Sequence, residues 1–378
     1  MGEQSGRSSI GEIGGLFLRL GLTAFGGPAA HLGLMEREAV ARRRWMSRES
    51  FLDLVGACNL LPGPGSTQVA VALGYTRRGW LGLAVAGVCF IGPAALATLG
   101  LAWAYVRYGS LPQVQGLLYG AKPAMVALIA QAVWKLGRTA LKNIWLAGAG
   151  AVCFAAALLG AAPLAVLLVC GGVTLAVAWG RRNSGSAMGL AFMPVGVGGV
   201  GVSAVGLFPL ALIFLKLGVV VFGSGYVLLA FLQSDLVDRL HWVTQSQLLD
   251  AVTAGQVTPG PVFATATFLG YLIGGWSGAA VATATIFLPS FVLAGVAAIL
   301  AERIRRSVLA GAFLDGVNVA AVALMAAVAL TLGRAALVDG WAWGIGVMSV
   351  GLLIGTKVNP AWLILSGAVV GLLAHGLR

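Results

Sequence analysis

The chain has 378 residues, of which 59% are hydrophobic and only 10% charged, with a formal net charge of +12 and a mean hydropathy of +0.94. A soluble domain carries about 25% charged residues, so water is excluded as the solvent, and basic residues in so apolar a chain report loop orientation in a membrane before they report nucleic acid, for which no partner role is expected. An outer-membrane barrel, with its segments of about ten alternating residues, is excluded as well.

Met1 to Ser9 are polar, and Ile10 opens an apolar stretch that contains Arg19 and no A-x-A-like cleavage site, the pattern of a retained first helix. Beyond Arg19 come Phe25-Gly26-Gly27-Pro28, small residues that let helices pack closely or let this helix open. His31 follows, either a titrating group or a structural donor. Arg37, Arg42, Arg43, Arg44 and Arg48 place the next segment in the cytoplasm. Ser47 then caps a helix that carries Asp53. The apolar run from Phe51 to Tyr75 is broken by Pro62-Gly63-Pro64-Gly65 and followed at once by Arg77 and Arg78. Both of its ends are therefore cytoplasmic, and a re-entrant hairpin is expected in place of a span. Spans over 79–106, 113–134, 143–160 and 162–179 return Lys135, Arg138, Lys142, Arg181 and Arg182 to the cytoplasm, and Lys122 falls inside the second of these. The four cysteines, Cys58, Cys89, Cys153 and Cys170, lie in apolar runs as small hydrophobes.

After a glycine-rich connector the sequence repeats. At an offset of 197, Phe17-Leu18-Arg19-Leu20-Gly21 falls on Phe214-Leu215-Lys216-Leu217-Gly218, Trp45 on Trp242, Asp53 on Asp250, and Pro62-Gly63-Pro64 on Pro259-Gly260-Pro261. At an offset of 196, Gly74-Tyr75 falls on Gly270-Tyr271, Trp80 on Trp276, and Pro93 on Pro289. So ordered a series is a duplication. The expected division is a first repeat at 1–180, a linker at 181–205 and a second repeat at 206–378.

Five spans per copy force the second copy upside down, and the loop charges agree. The counterpart of the Arg-rich segment holds Asp235, Asp238, Arg239 and His241, that of Arg77-Arg78 is Ile273-Gly274, and that of the loop with Arg107 carries Arg303, Arg305 and Arg306. The expected fold is an all-α polytopic membrane protein of two inverted repeats, with about ten transmembrane helices and two re-entrant hairpins. Secondary transporters of this architecture bind substrate near the midplane, where half-helix N-termini offer free N–H groups. The candidate binding residues are therefore Asn59, Pro62, Gly63, Pro64, Gln256, Pro259, Gly260 and Pro261 at the breaks, and Gly26, Gly27 and Gly223 at the openings. Arg19 and Lys216 join them as intramembrane cations, which by default face a pathway or a partner. Asp53, Asp250 and His31 are the candidates for proton coupling.

The stretch Phe25-Gly26-Gly27-Pro28-Ala29-Ala30-His31, the run Asn59 to Gln68 and the second-half run Pro259 to Tyr271 resemble the two-domain chromate ion transporters across both halves. The resemblance implies export of chromate, commonly conferring resistance, across the cell inner (plasma) membrane, with sulfate as a similar dianion. One departure is Gly92 before Pro93, where the resemblance implies a bulkier residue. A sulfate or other anion transporter and a passive anion channel stay open as alternatives, as does a homodimer in the lipid. An enzyme is disfavoured, since His31, His241 and His375 are not in metal-ligand spacing and neither G-x-S-x-G nor G-x-x-x-x-G-K occurs. No cofactor or metal is expected.

Overall fold

A computed structural model describes residues 8–25, 27–182, 206–222, 225–304, 308–356 and 358–376. The expected sites Gly26 and Gly223, residues 183–205 of the expected linker 181–205, and Arg305 and Arg306 lie outside them. The described residues are helical and contain no strand. In the first copy α1 (Ile10–Thr23), α2 (Pro28–Glu36), α3 (Arg48–Asn59), α4 (Gly65–Tyr108), α5 (Pro112–Ala140), α6 (Ile144–Leu158) and α7 (Pro163–Arg182) follow in order. The second copy repeats them as α8 (Leu207–Val220), α9 (Leu228–Leu232), α10 (Gln245–Val257), α11 (Thr265–Ile304), α12 (Val308–Ala336), α13 (Gly340–Gly355) and α14 (Pro360–Gly376).

Short polar signals start these helices in matching places. Ser9 caps α1 by accepting from the Glu12 N–H at 3.1 Å, and Ser47 caps α3 by accepting from the Ser50 N–H at 3.1 Å. Thr244 and Gln247 form a reciprocal capping box at the start of α10 (3.2 and 2.8 Å). Asn143 caps α6 and its counterpart Asp339 caps α13, each through its Oδ1 (2.8 and 2.9 Å).

At about 1.5 Å per residue a straight α4 would be more than twice the thickness of the bilayer's hydrocarbon core. It is not straight: Arg78 (φ −145°, ψ 21°) and Gly79 (φ 59°, ψ −146°) leave the helical region, as do Gly274 (φ −137°, ψ 21°) and Gly275 (φ 61°, ψ −147°) in α11. The chain folds back on itself there. A Cβ on Gly74 would lie 2.3 Å from the Gly82 carbonyl, and one on Gly270 would lie 2.4 Å from the Gly278 carbonyl, so only glycine allows the two limbs to touch. Tyr75 against Trp80 (5.3 Å) and Tyr271 against Trp276 (5.4 Å) pack edge to face across the two bends.

The copies interlock. α1 packs on α4 and α8 on α11, while α4 meets α11 and α5 meets α12 across the centre; α14 lies along α5 and α7 along α12, each in the other copy's territory. Large apolar side chains such as Leu96, Trp134, Ile144, Leu159 and Trp362 are exposed on the periphery, as a lipid-facing surface requires. Five helical stretches among the described residues are long and apolar enough to cross a membrane, and α6, α8, α13 and part of α14 are shorter apolar helices.

Candidate functional site

The two proline-glycine breaks meet the other copy's first helix. α1 ends at Thr23 and α2 starts only at Pro28, so the chain is open between them, with Gly27 at φ 80°. The Gly260 N–H donates to the Ala24 carbonyl at 3.0 Å, and the Gly63 N–H donates to the Val221 carbonyl at 2.6 Å. Ala24 and Val221 are themselves counterparts, so each break satisfies the open helix end of the other copy. Gly63 (φ 119°) and Gly260 (φ 95°) both adopt backbone angles that side chains disfavour. Beside Gly63 the Ser290 hydroxyl and the Oε1 of Gln68 are buried without a protein hydrogen-bond partner, as is the hydroxyl of the neighbouring Thr67.

His31 braces one junction. Its Nε2 lies 3.1 Å from the Ala24 carbonyl and its Nδ1 3.2 Å from the Ser66 hydroxyl, with Phe90 edge-on at 5.5 Å. A carbonyl only accepts, so Nε2 carries the proton and a neutral ring accepts the Ser66 hydroxyl on Nδ1. The counterpart of His31 is Leu228, and this brace belongs to the first copy alone.

Arg19 and Lys216 sit four residues before the ends of α1 and α8, not midway along a span, because both helices end early at the openings. Each meets a carboxylate. Arg19 lies 3.7 Å from Glu38, and Lys216 lies 2.7 Å from Asp235. Glu38 and Asp235 are counterparts at the offset of 197, and each rides a π-helical turn, Arg37–Arg42 or Gln233–Arg239. The Arg-rich segment is thus helical in its first half. After each π turn one residue, Arg44 (φ 51°) or His241 (φ 52°), takes a left-handed conformation rare outside glycine. Glu38 also pairs with Arg42 and Arg43, Arg43 with Glu12, and Asp235 with Arg239. Arg19 and Lys216 are therefore held in two separate clusters, in both of which cations outnumber acids. Sequence reasoning passed over Glu38 and Asp235; an acid recurring at the repeat offset beside a recurring cation was the signal that would have found them.

A cleft of about 820 Å³ opens between the copies. Gly27, Pro28 and Asn59 line it with Gln131, Lys135 and Thr139 of α5, Lys142 just beyond its end, Tyr226 of the second opening, and Asp315 and Asn318 of α12. Of the expected binding residues it gathers Gly27 and Asn59. The proline-glycine breaks form the junctions and do not line it, and Gln256 is buried. Lys142 is tied to Asp315 at 2.7 Å. Lys135 stands exposed in the wall and brings positive charge to the space.

The expected carboxylates differ. Asp53 is half-buried on α3, whereas Asp250 is buried on α10 and salt-bridged to Lys122 at 3.2 Å, with the Tyr105 hydroxyl donating to it at 3.1 Å. Lys122 is thereby engaged with protein. At Gly92 an added Cβ would meet nothing within 4 Å, so the departure before Pro93 leaves the local packing intact. Among the described residues no three His, Cys, Asp or Glu side chains gather as a metal site.

Comparison with known proteins follows the same division. The sequence model described as Chromate transporter matches residues 11–176 and again residues 208–372. The chain is 32% identical over 376 residues to the chromate transport protein of Cupriavidus metallidurans, covering 96% of this chain and 92% of that one. It is 32% identical over 378 residues to the chromate transport protein of Pseudomonas aeruginosa, covering 96% and 89%. The Bacillus subtilis protein named uncharacterized transporter YwrA is 30% identical over 128 residues, 34% of this chain and 72% of its own length. No solved structure matches. With both copies matched by one family and near full-length similarity to these relatives, the chain is a multi-pass membrane protein that belongs to the chromate transporter family.

Proposed function

We propose that the chain is a secondary transporter that exports chromate across the cell inner (plasma) membrane, and that the dianion passes through the cleft between two inverted copies, residues 1–180 and 206–378, joined by a linker at 181–205. The observation that carries this reading is the cleft itself, whose walls come from both copies and hold Gly27, Asn59, Gln131, Lys135 and Asn318. Backbone opened at Gly27 in a cleft that also holds Lys135 suits an oxyanion, and non-helical backbone at membrane depth survives only where it is buried or lines such a space. The fold-backs at Gly79 and Gly275 favour re-entrant hairpins, and the loop charges favour opposite orientations. The net positive clusters of Arg19 and Lys216 lie one turn before the two openings and draw the anion toward the junctions.

The membrane potential sets the direction. A field of 100 mV acts on each charge with about 2.3 kcal/mol, or roughly 4.6 kcal/mol for a dianion, and an interior-negative cell drives it outward. Purified protein in oriented liposomes loaded with chromate tests this. Efflux is expected to saturate with chromate, to be slowed by sulfate, and to quicken when the cytoplasmic side is made negative. Flux that rises linearly with concentration would make the protein a channel, and net uptake in cells would reverse the direction.

A further inference from the structure

The two copies are alike in sequence pattern but not in closure. α10 packs against α5, α12 and α14 as well as α4 and α11, whereas the principal partners of its counterpart α3 are α4 and α11 alone. The crevice matching the open cleft is therefore filled by α10. Gln245 at the start of α10 donates to the Thr331 carbonyl at 2.8 Å, covering the position that matches Lys135 in the cleft wall.

What holds α10 there is a cluster drawn from both copies. Lys122 of α5 donates to the Ser246 hydroxyl at 2.7 Å and lies 3.2 Å from the Asp250 carboxylate, which also accepts from Tyr105 of α4 at 3.1 Å. The Asp250 side chain is 2% exposed and the Lys122 side chain 20%. On the open side the position of Lys122 is taken by Asn318, which lines the cleft, and that of Asp250 by Asp53. An ammonium facing a buried carboxylate outweighs an amide facing one, since a buried charge that loses its partner is strongly penalised. The sequence thus makes the two sides unequal at the position of Lys122.

We infer that Lys122 is a positioning residue for transport, which through Asp250 and Ser246 holds α10 shut over the crevice opposite the cleft and so biases the protein toward the conformer open at Lys135. The inference rests on the reading of two inverted copies that open alternately. It assigns Lys122 no contact with substrate. Releasing the pair shifts the population between the two openings without removing a group from the cleft.

Cysteine accessibility reads that population directly. Ala132 lines the cleft, and its counterpart Val328 is buried on the closed side, so Ala132→Cys and Val328→Cys report on the two openings. The unsubstituted chain, whose four cysteines are buried or half-buried, gives the baseline for reaction with a small water-soluble maleimide in liposomes. Ala132→Cys is expected to react faster than Val328→Cys. Adding Lys122→Asn, which places an amide on both sides, is expected to raise the Val328→Cys rate about ten-fold and to lower that of Ala132→Cys. Exchanging the charges, Lys122→Asp with Asp250→Lys, is expected to restore the original ratio. An unchanged ratio in folded Lys122→Asn protein overturns the inference. So does failure of both the single variant and the charge exchange to fold, which would make the pair a requirement of the fold. The labelling contains no chromate, so its outcome stands apart from that of the flux assay.

Discussion

Alanine at Gly63 or Gly260 is expected to abolish transport and to destabilise the protein by roughly 2–5 kcal/mol, combining backbone strain with overpacking. Both residues sit at positive φ, 119° and 95°, and both donate their N–H across the junction to the other copy. The surroundings leave no space. A Cβ on Gly63 would lie 2.8 Å from the Gln68 Nε2, which donates to the Pro62 carbonyl, and 3.1 Å from the Ser290 hydroxyl. One on Gly260 would lie 2.8 Å from the Cβ of Ala94, which is fixed to the α4 backbone and moves only with the helix. Gly260→Ala is therefore the more severe. Gly92→Ala is the control, since its Cβ meets nothing, and it should melt and transport as the original does. Thermal unfolding in detergent with flux in liposomes decides the matter. Two melting curves unchanged from the original would remove the junction from the account.

Neutralising the cations at the openings is expected to separate binding from support. In Lys216→Gln the buried Asp235 keeps Arg239, at 3.4 Å, and loses charged hydrogen bonds of 3.0 and 2.7 Å. That loss costs about 1.5–3 kcal/mol. Chromate flux at low concentration should fall about ten-fold, the equivalent of ~1.4 kcal/mol in binding. Removing both partners, Lys216→Met with Asp235→Leu, should return most of the stability, because an apolar pair of similar volume replaces a buried ion pair at little cost. It should not return transport. Arg19→Gln is expected to behave alike and more mildly, since Glu38 retains Arg42 and Arg43. Recovery of flux in the double variant would confine Lys216 to a structural role.

Much of this architecture was legible because a duplication prints its pattern twice. The matched Pro-Gly-Pro runs announced the breaks, Ser47 announced the cap of α3, and the change at Arg77-Arg78 and Ile273-Gly274 fell where both copies bend back. The contacts between copies were not legible. Gly260 reaches Ala24 and Lys122 reaches Asp250 only after helices far apart in the chain have packed, and no local propensity encodes that meeting. The π turns were hidden for a related reason: one extra residue per turn leaves no mark on composition, yet it carries Glu38 and Asp235 to the cations. The difference between α3 and α10 lies further still from the sequence, because repeat matching reports what two copies share and is silent on how one conformer treats them differently.

The proposed opposition of the two copies is central to the account of the cleft, the junctions and the unequal closure, and side-directed labelling tests it most directly. Arg42 and Asp238 are exposed at the π turns of the two copies, four residues after Glu38 and three after Asp235. In intact cells an impermeant thiol reagent should modify Asp238→Cys and leave Arg42→Cys untouched until the membrane is opened. Equal modification of both positions from outside would contradict the inverted arrangement.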